Sequence, residues 1–140
     1  MNVKRVVIDT NVLISAALSS QGLPAKVVAH CVEHCRLYFS DETYHEFSTR
    51  LWRPKFDAYI SRELRQAILL DFSNIADWVE ITGSIKASRD PHDDKFLEVA
   101  AIAEASLLIS GDRDLTELKR FQGIPIVTPA EAYALIIEGL

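Results

Sequence analysis

Two short, wholly apolar runs, Val6-Val7-Ile8 and Leu107-Leu108-Ile109, each lead into an acidic turn, at Asp9 and at Asp112. Apolar runs of this length read as strands buried on both faces, and such strands belong to parallel sheets covered by helices. The rest of the chain keeps the alternation. Strands are expected over residues 4–9, 36–40, 78–82, 107–110 and 124–127. Helices are expected over 11–18, 24–35, 41 to the break at Pro54, 63–77, 91 to about 105, 114–120 and 129–137. Pro24 and Pro91 suit first helical turns, Ser40 or Asp41 suits a cap, and Pro125 suggests that the last strand lies at a sheet edge. With no repeat, linker or low-complexity tract, this pattern implies one α/β sandwich over residues 1–140, built around a mostly parallel sheet of about five strands.

In such a sheet the carboxyl ends of the strands and the starts of the following helices share one rim. Asp9 and Asp112 end strands there, while Glu46 and Asp94 fall in the early turns of helices. Acids gathered without matching cations repel one another and favour a hard divalent ion bound through oxygen. Each acid also has a plain structural explanation. Asp9, Asp90 and Asp114 suit helix caps, Asp112 suits a Gly-Asp turn, Asp93 suits a helix dipole, and Glu46 suits an i,i+4 pair with Arg50. Periodicity does not separate Asp93 from Asp94, since both border the apolar positions Phe96, Leu97, Ala100 and Ala101. The convergence of all these acids on one rim is what the single explanations leave over.

Composition narrows the function classes. With 140 residues, 49% hydrophobic and 25% charged, the chain is long enough to bury an ordinary core and is not of disordered type. The longest apolar candidate, residues 96–109, is broken by Glu98 and Glu104, so no membrane span is expected. Val6-Val7-Ile8 follows the N-terminus too closely for a signal peptide, and cytoplasmic residence is the expectation. The net charge of −5 offers no global attraction to nucleic acid. Locally, however, Arg50, Arg53, Lys55, Arg62 and Arg65 face only Asp57 and Glu63, and such a patch can contact phosphates. The segment His30-Cys31-Val32-Glu33-His34-Cys35 has zinc-ligand residue types, yet no second Cys or His pair accompanies it, so free thiols on a helix are the simpler reading.

These residues resemble the PIN-domain ribonucleases, in particular the bacterial and archaeal group known as toxins of toxin–antitoxin systems (VapC-like). The matching pieces are Val7-Ile8-Asp9-Thr10-Asn11-Val12-Leu13-Ile14-Ser15-Ala16, Ser40-Asp41-Glu42 with Glu46, and Leu51-Trp52-Arg53-Pro54-Lys55-Phe56. Arg89-Asp90-Pro91-His92-Asp93-Asp94-Lys95-Phe96-Leu97, Leu108-Ile109-Ser110-Gly111-Asp112-Arg113-Asp114-Leu115 and Ile126-Val127-Thr128-Pro129 follow in the family's order.

The resemblance implies a three-layer α/β/α fold and an acidic cluster binding Mg²⁺ or Mn²⁺. By position Asp9, Glu46, Asp94 and Asp112 match the acidic set, Asp114 a further acid, and Thr10 and Asn11 the polar residues beside the first acid. Ser110 stands where threonine is common and keeps the hydroxyl. The activity implied is hydrolysis of single-stranded RNA leaving a 5′-phosphate and a 3′-hydroxyl, with Arg50, Arg53 and Lys55 on phosphates. A cognate antitoxin and a homodimer are the implied partners. A haloacid-dehalogenase-like phosphatase would need an acid at Asn11, and a two-component receiver an Asp near Thr82 and a late Lys near Thr128; neither is present. A non-enzymatic interaction module on the same fold is the remaining alternative, and the complete acid set counts against it.

Overall fold

The computed structural model describes residues 4–139; residues 1–3 and 140 of the expected domain lie outside the described residues. Strand β1 (Arg5–Ile8) has β2 (Arg36–Phe39) on one side and β4 (Leu107–Ile109) on the other, both parallel to it. The full order is β3-β2-β1-β4-β6-β5, with β3 at Asp77–Trp78, β5 at Arg120–Phe121 and β6 at Ile124–Val127. Only β5 runs antiparallel among the described strands. From β1 the chain winds first to β2 and β3, then crosses back to β4 and β6. The C-terminal ends of β1 and β4 therefore flank a topological switch point, where open parallel sheets leave a crevice.

Alternation along the strands divides the interior into two layers. Val6, Ile8, Leu37, Phe39, Leu107, Ile109 and Val127 face one core, together with Val12, Leu13, Val27, Phe47 and Leu51. These partners come from α1 (Thr10–Leu18), α2 (Leu23–His34) and α3 (Asp41–Leu51). Also packed on this side are Leu69 of α4 (Arg62–Ile75) and Ala132 of α7 (Pro129–Ala132), which runs on into a π-type turn at Tyr133–Ile137. Val7, Leu108, Ile124 and Ile126 face the other core, covered by Phe96, Leu97, Val99 and Ala100 of α5 (Asp94–Ala103) and by Leu115 of α6 (Arg113–Thr116). The result is an α/β/α sandwich. Leu107, Leu108 and Ile109 are all buried because their side chains meet helices on both faces.

The sheet has six strands, not five. The missed one, β5, pairs with β6 through a two-residue turn in which Gln122 (φ 50°) and Gly123 (φ 81°) both adopt the left-handed conformation that hairpin turns require. A Gly between Phe121 and Ile124 was the available signal, weak because Gln rather than Asn precedes it. Pro125 therefore does not mark the outer edge of the sheet: Arg120 of β5 lies opposite it. At the other edge, β3 is only two residues long, and the segment expected to extend it through 82 leaves the sheet after Val79. Ser40 caps α3 through the N–H of Thr43, and Pro54 opens a single 3-10 turn (Pro54–Phe56) between α3 and α4.

Among the tempting zinc ligands, Cys31 has a packing role. Cys31 is fully buried on the core face of α2, and burial pushes its thiol up to about 12, the opposite of what a thiolate ligand needs. Cys31 and Cys35 form no disulfide.

Candidate metal centre

Asp9 follows β1 and precedes α1, in N-cap position with extended backbone, yet its side chain makes no cap hydrogen bond. The carboxylate instead accepts the hydroxyl of Ser110, the residue after β4, with Oγ to Oδ2 at 2.7 Å. The two strand ends are locked in register by the Asp9 N–H on the Ile109 carbonyl at 2.9 Å. Asp9 is only 2% exposed. Burial raises its pKa, the Ser110 hydroxyl works against that rise, and the charges of Glu46 and Asp112 add to it. A cation nearby would work against that rise and favour the ionised form.

Asp93 is the second centre of this acidic group. It closes the 3-10 turn Pro91–Asp93 ahead of α5 and is 8% exposed. Its Oδ2 is buried with no hydrogen-bond partner. Its pKa is pushed up to about 7, first by burial, then by the charges of Asp112 and Asp9, a hydrogen bond that the protonated form makes to Asp112, and the charge of Asp90. An orphaned buried carboxylate oxygen costs about 1–3 kcal/mol, more where charge is involved. The acid is thus held at a place that suits a proton or a metal ion.

Asp112 caps α6, its Oδ1 accepting the Asp114 N–H at 2.9 Å, and the Ser110 hydroxyl accepts the Asp112 N–H at 2.9 Å. Ser110 thereby ties Asp9 and Asp112 together. Carboxylate oxygens of Asp90, Asp93 and Asp114 also lie within 4.8 Å of one another. Two of these three have partners: Asp90 caps the His92 N–H at 3.0 Å, and Arg89 stands 4.0 Å from Asp114. Asp9 and Asp112 have partners as well, the Ser110 hydroxyl and the Asp114 N–H, so among the described residues only Asp93 keeps a buried carboxylate oxygen without one, and the charges of Asp112, Asp9 and Asp90 bear on it. The oxygen-only donor set and the orphaned Oδ2 of Asp93 fit a hard divalent ion.

Asp94 is not brought into this group. Its Oδ1 accepts the N–H groups of Ala87 (3.1 Å) and Ser88 (2.7 Å), which fastens the loop ahead of α5. It borders, with Lys86 and Glu98, a hollow of about 560 Å³ on the flank of that helix. The helical rotation between consecutive positions sends the two aspartates to different sides, which the apolar pattern could not resolve.

Glu46 of α3, its side chain only 15% exposed, is matched by cations: the i,i+4 pair with Arg50 forms, and Lys95 joins it. Its Oε1 meets Lys95 Nζ at 3.0 Å and Arg50 at 3.2 Å, while Oε2 accepts a short hydrogen bond from the Thr10 hydroxyl. Asn11 extends the group by accepting Arg50 at 3.2 Å. Lys95 was the missed residue; a cation directly after the paired aspartates was its only trace in the sequence. Beside Glu46 a hollow of about 410 Å³ is lined by His45, Arg50, Arg53 and Lys95. Lys55 is turned away, 5.1 Å from the centre of the Phe56 ring.

Comparison with known proteins bears on the family and the fold. A family model described as "PIN domain" matches residues 5–114, the span from β1 to the second residue of α6. An uncharacterised protein of Methanocaldococcus jannaschii is 34% identical over 117 residues, which covers 82% of this chain and 75% of that one. In fold, the chain is similar to the crystal structure of VapBC2 from Rickettsia felis bound to a DNA fragment from their promoter. That similarity has a TM-score of 0.56 at 13% identity and covers 89% of this chain and 98% of the other. With the family model spanning both strand ends that carry Asp9 and Asp112, this chain belongs to the PIN-domain family.

Proposed function

We propose that the protein is a metal-dependent endoribonuclease acting on single-stranded RNA and serving as the toxin of a toxin–antitoxin pair. The observation that carries the reading is the buried, unpartnered Oδ2 of Asp93 facing the charges of Asp9 and Asp112. Asp9, Asp93 and Asp112 are the residues that would hold Mg²⁺ or Mn²⁺. The bound ion would neutralise the acids, polarise a phosphodiester and lower the pKa of an attacking water. Asp94 is replaced by Asp93 in this role.

The chain's own residues divide the remaining work. Ser110 orients Asp9 through its hydroxyl, and Asp112 through its backbone. Thr10, Arg50 and Lys95 fix the Glu46 carboxylate at the rim, where it can accept a proton from water. Arg53 and the exposed edges of Arg50 and Lys95 present positive charge to a phosphodiester backbone, giving affinity without base readout. Among the described residues no single helix is long and apolar enough to cross a membrane. Cytoplasmic residence, an antitoxin partner and a homodimer belong to the same reading, supported by family membership and by the fold shared with a VapBC protein.

The test is cleavage of a single-stranded RNA in Mn²⁺, in EDTA, and by Asp9→Asn in Mn²⁺. Cleavage only by the unaltered protein with metal, leaving 5′-phosphate ends, is expected. Equal cleavage under all three conditions would remove the metal-nuclease reading. Co-expression with a neighbouring reading frame tests the toxin role: growth arrest relieved by a protein that co-purifies is the expected result.

A further inference from the structure

Arg65 closes the first turn of α4 and is only 2% exposed. Of its guanidinium nitrogens, one donates to Asp57 at 3.0 Å; Nε and the other terminal nitrogen are buried with no hydrogen-bond partner. That is an unusual condition for the side chain with the largest donor set of any residue. Its partner is lopsided too: the Asp57 side chain is 68% exposed, so the pair joins a buried cation to a solvated anion. Burying a charge with so little compensation costs several kcal/mol, and the fold retains it.

The surroundings indicate what the charge is kept for. Arg65 lines a hollow of about 430 Å³ together with Trp52, Asp57 and Arg62. Both guanidinium groups sit over the Trp52 ring, Arg65 at 5.4 Å and Arg62 at 5.8 Å from its centre. The indole therefore holds two forked donors beside one cavity. Trp52 and Arg53 are consecutive, and Arg53 lines the neighbouring hollow beside Glu46. A basic track thus runs from the acidic rim, past Arg50 and Arg53, to Arg62 and Arg65. A lone carboxylate partner would need the last two residues of this track; a strand of phosphates would use all of it.

We propose that the hollow at Trp52, Arg62 and Arg65 is a phosphate-binding subsite that takes a backbone phosphate of single-stranded RNA away from the bond to be cleaved. In the free protein Asp57 occupies the place of that phosphate. When RNA arrives, the exposed Asp57 carboxylate swings into water, and a phosphate oxygen pair meets the Arg65 fork. This rests on the ribonuclease reading for its choice of RNA, but not for the site itself.

The experiment uses Trp52 as its reporter. The chain has two tryptophans, and Trp78→Phe leaves Trp52 as the only indole. Emission is followed in EDTA against inorganic phosphate, oligouridylate and polyglutamate. Saturable changes with oligouridylate and, more weakly, with phosphate are expected. Arg65→Lys is expected to weaken oligouridylate binding about tenfold through loss of the bidentate fork, and Arg62→Met about threefold. The diagnostic variant is Asp57→Asn, which removes the internal competitor and is expected to tighten binding. Arg62 and Asp57 are exposed, so the outcome does not hang on the folding of the Arg65 variant. Weaker or unchanged binding by Asp57→Asn, a response to phosphate without oligouridylate, or a response to polyglutamate alone would each overturn the proposal. The last would mark a protein-docking site instead. Because binding is read without metal, oligouridylate binding by a protein that fails to cleave RNA would sink the nuclease reading and leave the subsite standing.

Discussion

Neighbouring aspartates with one letter in common do opposite jobs in this chain. Asp93 is buried among other acids with an oxygen that nothing satisfies, whereas Asp94 spends its carboxylate on two backbone N–H groups. Their substitutions therefore part in sign. Asp93→Asn is expected to raise the thermal midpoint of the metal-free protein at pH 8 by roughly 3–6 °C, because it removes a charge held away from water. The same change is expected to abolish Mn²⁺-dependent cleavage. Asp94→Ala is expected to cost about 1–3 kcal/mol of stability through the freed loop while Mn²⁺ binding survives. Melting curves with and without Mn²⁺ check both, and loss of Mn²⁺ binding in Asp94→Ala alone would return the metal role to that residue.

At the level of elements, α5 acts as the clamp that shapes one side of the crevice. Asp94 at its start holds the backbone at 87–88, and Glu98 one turn on holds the backbone at 82–84. Glu98 accepts the N–H and hydroxyl of Thr82 on one oxygen and the Gly83 N–H on the other at 2.9 Å. Burial by itself would raise the Glu98 pKa; hydrogen bonds from Thr82, Gly83 and Ser84 outweigh it, and the pKa is lowered below its ordinary 4.5. A lowered folded-state pKa stabilises the fold fully above the unfolded value, and that contribution is lost as pH falls through the folded one. Glu98→Gln is therefore expected to melt roughly 3–6 °C lower at pH 7, with the gap closing as pH falls from the ordinary value of 4.5 through the lowered one. A constant gap across that range in a pH series of melting curves would show that the carboxylate charge is not what holds the loop.

For the whole molecule, the acids at the switch point and the stability of the sandwich are coupled through β1 and β4. The two strands that bury Val6, Val7, Leu107 and Leu108 in both cores are the ones whose ends carry Asp9, Ser110 and Asp112. Charge repulsion at the rim therefore bears on the centre of the sheet, and an ion that binds only the folded chain adds about 2.7 kcal/mol at a hundred times its dissociation constant. Addition of Mn²⁺ is expected to raise the melting temperature by several degrees in the unaltered protein and not in Asp9→Asn. Calorimetry or a dye-based melt reads it directly, and an equal rise in both proteins would place the ion elsewhere.

Local chemistry made the two buried strands, the caps at Ser40 and Asp90 and the acidic turn at Asp112 legible from the chain alone, because apolar runs and capping residues act over a few positions. From them the parallel sheet and its acidic rim followed. Three things were decided only by the fold. The different surroundings of Asp93 and Asp94 depend on how the start of α5 is rotated against β1 and β4, which packing of Phe96 and Leu97 sets and no spacing reveals. The pairing of Lys95 with Glu46 joins helices far apart in sequence. The burial of Arg65 beneath Trp52, in a stretch that reads as a solvated basic face, follows from where α3 and α4 meet. Short-range preferences are written residue by residue; the environment of a charge depends on every element that closes around it.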